Sequence, residues 1–349
     1  MTTQASNKPA GRVTMADVAR RAGVSVSTVS LVLNDRTTVQ IADLTRQKVR
    51  RAAEELEFRP NRLARSLRMQ QADTVGVITN RVIGPLFAGR MLSGLQGALV
   101  GSGVVPMLIE TDDDPASNDA AVTALIDRGV AALVFVSIEP TAVHPSPLLG
   151  DTRTIYLNCW PAEPDDSAVL LADEYAGGLA AASAVVRRGH RRTAYLGGPP
   201  AEYAAVQRSR AYLDATGQAG LDPAEQQVTF GDYTLGSGYA QARAAFSGHR
   251  PTALVCGNDF MAIGAMLAMR DLGVSVPDEV SIVGFDDVPD IADGVQPALT
   301  TVELPHAEMG RRAGEILLGR CQPQGRELVP CDLVERRSLQ DAPQDAPGA

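Results

Sequence analysis

The chain has 349 residues, 45% hydrophobic and 21% charged, which is the composition of a globular protein long enough for two or three domains with real cores. Its formal charge of -9 is unevenly spread: residues 1–70 hold 13 Lys and Arg against 6 Asp and Glu, a net of +7, and the remainder holds 19 against 35, a net of -16. A basic head on an acidic body implies that only the head meets a polyanion. The N-terminal MTTQASNKPAGR lacks the apolar core of a signal peptide, and no window reaches the ~18 consecutive apolar residues of a membrane span, so a cytoplasmic protein without membrane contact is expected. The four cysteines (Cys159, Cys256, Cys321, Cys331) are far apart, lack metal-ligand spacing and are expected to pack as small apolar residues. About ten disordered residues are expected at the front (1–12) and a disordered Pro/Asp/Ala tail after Leu339 (340–349).

The first structured stretch is TMADVARRAGVSVSTVSLVLN, residues 14–34. It predicts two short helices, with Ala16, Val18, Ala19 and Ala22 on the buried face of the first and Gly23 supplying the turn, where positive φ costs nothing. Ser25 is a good N-cap for the second helix, whose Val29, Val32 and Leu33 recur at helical spacing. That leaves Val26, Ser27, Thr28, Ser30 and Leu31 mostly outward, and a helix presenting small and hydroxyl side chains suits a DNA major groove. A polar loop leads to a third helix over 41–58, with Val49, Ala52, Ala53 and Leu56 as its buried stripe. Residues 13–59 thus form a small all-α headpiece with a thin core. In RPNRLARSLRMQQ, residues 59–71, Pro60 stops the third helix and Asn61 can cap a short new one carrying Arg62, Arg65 and Arg68 beside Leu63 and Leu67. Such a helix is either a solvated basic linker or a hinge helix (60–71) for the minor groove. There arginines would meet phosphates and a leucine would wedge between base steps.

These two stretches, TMADVARRAGVSVSTVSLVLN and TRQKVRRAAEELEFRPNRLARSL, closely resemble the LacI/GalR family of bacterial transcription repressors, and the resemblance runs to about Leu339. It implies a helix-turn-helix headpiece with a hinge helix, followed at 72–339 by a two-lobed, periplasmic-binding-protein-like body of parallel sheets that binds an effector and dimerises. By resemblance Val26 and Ser27 open the recognition helix and face base edges. Ser25, Thr28, Ser30 and Asn34 hold phosphates, Leu67 is the minor-groove wedge, and Thr14, Asn61, Arg62 and Ala64 complete the DNA-contacting set. Leu31 stands where the family commonly has Arg; it reaches at most a thymine methyl and not guanine, which departs from the usual operator. The loop 35–40 is about two residues longer than in some members.

From Thr74 the pattern turns to unbroken apolar strands alternating with helices, the signature of parallel sheets covered on both faces. The first set of strands is TVGVITN, VVPMLIETD, AALVFVSI and RTIYLNCW. A second set, beginning with AVLLAD and running through RTAYLGG, QQVTFGD and TALVCGND to EVSIVGFDD, predicts a second lobe. About Leu299 the chain is expected to cross back, and a helix over 307–318 and a strand LVPCDLVER finish the body.

Ligands of open α/β sheets sit beyond the strand C-termini. The polar residues there are Asn80, Ser137, Asn258 with Asp259, and Asp286 with Asp287. Arg208 lies on the helix after RTAYLGGPP, and Tyr233 and Phe87 could stack on a sugar face. One Arg, an Asn and a carboxylate match a polyhydroxylated ligand, although strand-end Asn and Asp also serve as plain helix caps. By resemblance Arg208, Asn258 and Asp286 fall where the family's effector-binding residues occur, and Tyr233 where some members are aromatic. Asn80, Phe87, Ser137 and Asp173 match more loosely, and Ala176 stands where a carboxylate could. No GxGxxG, P-loop, Ser/His/Asp order or His/Cys cluster appears, and His190 is expected to mark a turn into a strand.

The expected function is therefore a ligand-responsive repressor, not an enzyme and without cofactor. It would bind a pseudo-palindromic operator as a homodimer and be released by a sugar, polyol or nucleoside effector, with corepression as the alternative sign. A solute-binding protein and a sugar-modifying enzyme share the body; the headpiece, the missing signal peptide and the missing catalytic group count against them. The tail lacks heptads and so lacks a tetramerising helix.

Overall fold

The structure is a computed structural model that describes residues 13–33, 41–56, 58, 73–80, 89–112, 114–144, 146–248, 250–322 and 325–343. The loop 35–40, Asn34 and the hinge stretch 59–71 lie outside the described residues. The chain divides into two compact units, residues 1–71 and 72–349.

In the first unit, α1 (Met15–Ala22), α2 (Val26–Leu33) and α3 (Asp43–Glu55) enclose a core of Val18, Ala19, Val29, Val32, Val49, Ala52 and Ala53. Ala16, expected on the buried face of α1, is exposed; Met15 packs against the core instead. With α1 starting at Met15, positions 15, 18, 19 and 22 fall at helical spacing on one face, and 16 does not. Gly23 closes α1 in the left-handed region (φ 67°), which a Cβ would strain. Arg21 on α1 is ion-paired to Glu55 on α3 at 2.6 Å.

In the second unit, β1 (Thr74–Asn80), β2 (Val105–Thr111), β3 (Leu133–Val143), β4 (Thr154–Pro161), β5 (Ala168–Ala172) and β11 (Arg326–Val329) form one parallel sheet in the order β11-β5-β4-β3-β1-β2. α4 (Gly89–Leu99) and α5 (Pro115–Ile126) connect its early strands. After α6 (Glu174–Arg187), the strands β6 (Thr193–Gly197), β7 (Gln226–Phe230), β8 (Ala253–Cys256) and β9 (Ser281–Val283) make a second parallel sheet, ordered β7-β6-β8-β9. Its connecting helices are α7 (Tyr203–Gln218), α8 (Leu235–Phe246) and α9 (Asp259–Leu272). The buried apolar strands fulfil the expectation of two similar α/β lobes.

Two assignments change. AVLLAD, expected to open the second lobe, is β5 of the first sheet, between β4 and β11. LVPCDLVER is not one strand: its start belongs to β11 beside β5, and after Pro330 its end, β12 (Leu333–Val334), pairs antiparallel with β10 (Thr301–Val302). Proline has no N–H for the ladder, so the run breaks there and serves both lobes.

The chain crosses between lobes at α6, at 299–304 and at 330–336. After the second crossing α10 (His306–Leu317) packs on α4 of the first lobe, backbone to backbone at Gly94 and Gly310. The tail does not end in disorder at Leu339. Gln340 N donates to Ser281 Oγ (3.1 Å), Ala342 N donates to the Arg188 carbonyl, and the Gln340 carbonyl meets His190 Nε2 at 3.0 Å. His190, fully buried and also 3.0 Å from Thr252 Oγ1, is thus a tie for the tail as well as a residue before a strand. Among the described residues the cysteines are free, Cys159, Cys256 and Cys331 being buried, and no helix is long and apolar enough to cross a membrane.

Candidate functional site

In the headpiece, Thr14 precedes α1, and Ser25, Val26, Ser27, Thr28, Ser30 and Leu31 lie at and along α2. Thr14 and Asp17 form a reciprocal capping box at α1: Asp17 N donates to Thr14 Oγ1 (3.4 Å) and Thr14 N donates to Asp17 Oδ2 (2.9 Å). The Thr14 hydrogen bonds hold the Asp17 carboxyl below the usual carboxylate range. Ser25 accepts from Thr28 N at 3.1 Å and so occupies the N-cap of α2, with its hydroxyl 2.9 Å from that of Thr28. Val26 is 42% exposed, Ser27 is exposed, and Thr28, Ser30 and Leu31 are half-buried. An exposed valine at the start of a helix, beside a serine, leaves apolar surface in water. Asn61, Arg62, Ala64 and Leu67, like Asn34, lie outside the described residues.

The body holds a cavity of about 230 Å³ between its lobes. Arg208, Tyr233, Asn258 and Asp286 all line it, joined from the first lobe by Ile138, Glu139 and Asn158. Arg208 projects from α7 and is 5% exposed. Its Nε donates to Glu174 Oε2 at 2.7 Å, and its Nη1 donates to the Gly257 carbonyl at 2.5 Å and lies 3.5 Å from Asp286 Oδ1. Its guanidinium plane lies 3.6 Å from the ring centroid of Phe285. Burial works against the Arg208 charge, but Glu174 and Asp286 more than offset it and hold its pKa above the ordinary value. Burial drives the Asp286 carboxyl well above the usual range despite the pull of Arg208.

Asn258 caps α9 by accepting from Met261 N (2.9 Å), and its Nδ2 donates to the Tyr233 carbonyl (3.1 Å). The cap and the cavity wall are therefore the same residue. Tyr233 (φ 62°), Asp286 (φ 112°) and Asn158 (φ 56°) all hold positive φ without being glycine, and all three line the cavity. Such backbone costs on the order of 1–3 kcal/mol per residue and gathers at functional sites. The hydroxyl of Tyr233 and Oδ1 of Asn158 are buried without a protein partner among the described residues.

Other expected residues fall elsewhere. Asn80 and Ser137 line a separate void of about 10 Å³ within the first lobe, beside Thr111 and Asn118. Asp173 caps α6 by accepting from Ala176 N (2.9 Å) and does not line the larger cavity. Phe87 lies outside the described residues. Glu174 and Asn158 were missed. Glu174 is the residue after Asp173 in ADEYAGG and is 2% exposed, which a helix's first acidic residue seldom is. Asn158 closes the apolar run RTIYLN, and its side chain holds the bulged end of β3 by donating to the carbonyls of Ser137 (3.1 Å) and Ile138 (2.9 Å). An Asn at a strand's polar end was the available signal. Among the described residues no cluster of His, Cys, Asp and Glu could hold a metal ion.

Residues 14–61 match the family model described as bacterial regulatory proteins, lacI family, and residues 182–339 match the periplasmic binding protein-like domain. The HTH-type transcriptional repressor PurR of Yersinia pestis (strain Pestoides F) is 32% identical over 342 residues, covering 95% of this chain and 98% of its own. Among solved structures, the lac repressor dimer bound to operator and the anti-inducer ONPF is similar with a TM-score of 0.76 and 26% identity, over 95% of this chain and all of that one. A transcriptional regulator CelR–cellobiose complex is similar with a TM-score of 0.64 and 26% identity, over 94% of this chain and all of that one.

Proposed function

Because the chain belongs to the lacI family of DNA-binding transcriptional repressors, and is no enzyme, we propose that its grip on DNA is set by a small hydroxylated ligand held around Arg208. The observation that carries this reading is the makeup of that cavity. Second-lobe residues Arg208, Tyr233, Asn258 and Asp286 face first-lobe residues Asn158 and Ile138 across it. A ligand there touches both lobes, so its binding energy depends on how they are arranged, and it favours one arrangement over another. Buried acceptors and donors without partners suit hydroxyl groups, and a similar regulator solved with cellobiose makes carbohydrates the first class to try.

A homodimer sets two copies of α2 in successive major grooves of a pseudo-palindrome, with Val26 and Ser27 at base edges and Ser25, Thr28, Ser30 and Asn34 on phosphates. The hinge stretch with Asn61, Arg62, Ala64 and Leu67 meets the minor groove between them. The ligand releases the operator, a cytoplasmic site of carbohydrate uptake or catabolism control. The experiment is a thermal-shift screen of sugars, polyols and nucleosides on the full chain, followed by gel retardation of fragments selected from genomic DNA. A stabilising ligand that weakens retardation is the expected result, and deletion of residues 1–70 should abolish retardation altogether. Retardation that the ligand strengthens reverses the sign to corepression; retardation that survives the deletion overturns the assignment of DNA binding to the head.

A further inference from the structure

Trp160, the one tryptophan of the chain, lies near the end of β4 in the first lobe. Its ring meets that of Tyr203, the first residue of α7 in the second lobe, with centroids 5.3 Å apart and planes tilted by 57°. Arg326 opens β11 in the first lobe and brings its guanidinium to both rings, 5.2 Å from the Trp160 centroid and 5.7 Å from that of Tyr203. Its Nη2 also donates to the Tyr203 hydroxyl at 3.4 Å. None of the three residues lies in a segment that crosses between the lobes. The contact is therefore made by facing surfaces of the lobes and not within a hinge. The cluster borders the cavity: Glu202 and Ala204, on either side of Tyr203, line it, and so does Asn158, two residues before Trp160. Lobes that part at these rings also part those cavity walls.

Both rings are half-buried and Arg326 is exposed. Opening the cluster returns the guanidinium and the Tyr203 hydroxyl to water, and it leaves no buried charge or orphaned donor behind. The cost of opening is then that of the ring contacts alone. An aromatic pair and the cation–π contact across the lobes are together worth about 10-fold in an equilibrium. We propose that Trp160, Tyr203 and Arg326 form a reversible latch that holds the two lobes in the arrangement of this structure, about 10-fold against the parted one. The latch sets the resting population from which any ligand touching both lobes must start. It depends neither on what the cavity binds nor on DNA.

Single-molecule energy transfer on the full chain, without ligand, tests the latch. One dye sits at Ala120→Cys on α5 of the first lobe and the other at Ala240→Cys on α8 of the second, both exposed positions. The background carries Cys321→Ser, since the other cysteines are buried, and labelled chain is diluted with unlabelled chain. The ratio of parted to latched lobes should rise about 10-fold in Tyr203→Ala. It should rise about 3-fold in Arg326→Met, which keeps the stem and loses the charge. Tyr203→Phe keeps the ring and should stay within about 2-fold of tyrosine. Added to Tyr203→Ala, Arg326→Met should have no further effect, because its remaining ring, Trp160, belongs to its own lobe. A ratio unchanged in either Tyr203→Ala or Arg326→Met overturns the proposal, as does a rise from Arg326→Met that persists once Tyr203 is Ala. Arg326 is exposed, so Arg326→Met keeps the test decisive even where Tyr203→Ala fails to fold.

Discussion

Arg208→Met removes the single cation from a buried set of two carboxylates. Met matches the arginine stem and can still lie on Phe285, so the packing loss is small and the change reads mainly electrostatics. Glu174 is 2% and Asp286 5% exposed, so a charge orphaned on either starts out buried. Breaking a buried ion pair from one side costs about 3–5 kcal/mol, because the orphaned charge stays buried. Asp286, whose carboxyl burial already pushes up, limits the loss by taking a proton. We therefore expect about 3–4 kcal/mol at pH 8, or roughly 10 °C in Tm for a body of this size. The loss should shrink at pH 5.5, where protonation of the Asp286 carboxyl is cheaper. Urea unfolding at the two pH values measures it. Arg208→Met combined with Glu174→Gln and Asp286→Asn should recover most of the stability, since neutral amides carry no uncompensated charge. A loss below about 1 kcal/mol that is equal at both pH values would refute a coupled buried triad.

Further outcomes follow from single contacts. Burial pushes the Asp259 carboxyl up to about 7, against hydrogen bonds from Val288 N and Thr301 Oγ1. Its folded pKa is above the unfolded value of 3.8, so its contribution is complete below about pH 4 and is lost as pH rises through about 7. The stability difference between wild type and Asp259→Asn should therefore change by about 1.4 kcal/mol per pH unit across that window, and parallel curves would contradict it. Gly94→Ala drives a methyl into the Ala307 carbonyl where α4 meets α10, and should cost about 1–3 kcal/mol in thermal unfolding of the body. Leu67→Ala, by the hinge reading of the sequence, should weaken operator binding more than non-specific binding in a competition gel shift; equal losses would remove the wedge role.

What could be read from the sequence follows from how local each signal is. The headpiece was legible apart from the face of Ala16, because Gly23 and Ser25 act on neighbours three or four positions away. The alternation of strands and helices was legible for the same reason. Which sheet a strand joins was not: Ala168–Ala172 is equally apolar in either lobe, and its place beside β4 is decided by the distant β11. The split of LVPCDLVER could have been read from Pro330, which no central strand accommodates. In the cavity, Asn258 and Asp286 were legible as strand ends, and Arg208 and Tyr233 chiefly through the family resemblance. Glu174 escaped because an acidic residue in a first turn ordinarily faces water, and only the tertiary approach of α7 buries it against Arg208. Asn80 and Ser137 sit at strand ends too, yet open onto a different void, since strand pleat alone does not tell which cavity a side chain reaches.

In the proposed mechanism, one ligand in the Arg208 cavity and one DNA site compete for the same protein through its conformation. Linkage makes this measurable in both directions: the factor by which ligand changes DNA affinity must equal the factor by which DNA changes ligand affinity. Fluorescence anisotropy of labelled operator, with and without a ligand that stabilises the body, paired with titration of that ligand with and without operator, gives both. Equal factors of about 5-fold or more are expected, both lost in Arg208→Met. A ligand that saturates the body while DNA affinity stays unchanged would contradict it.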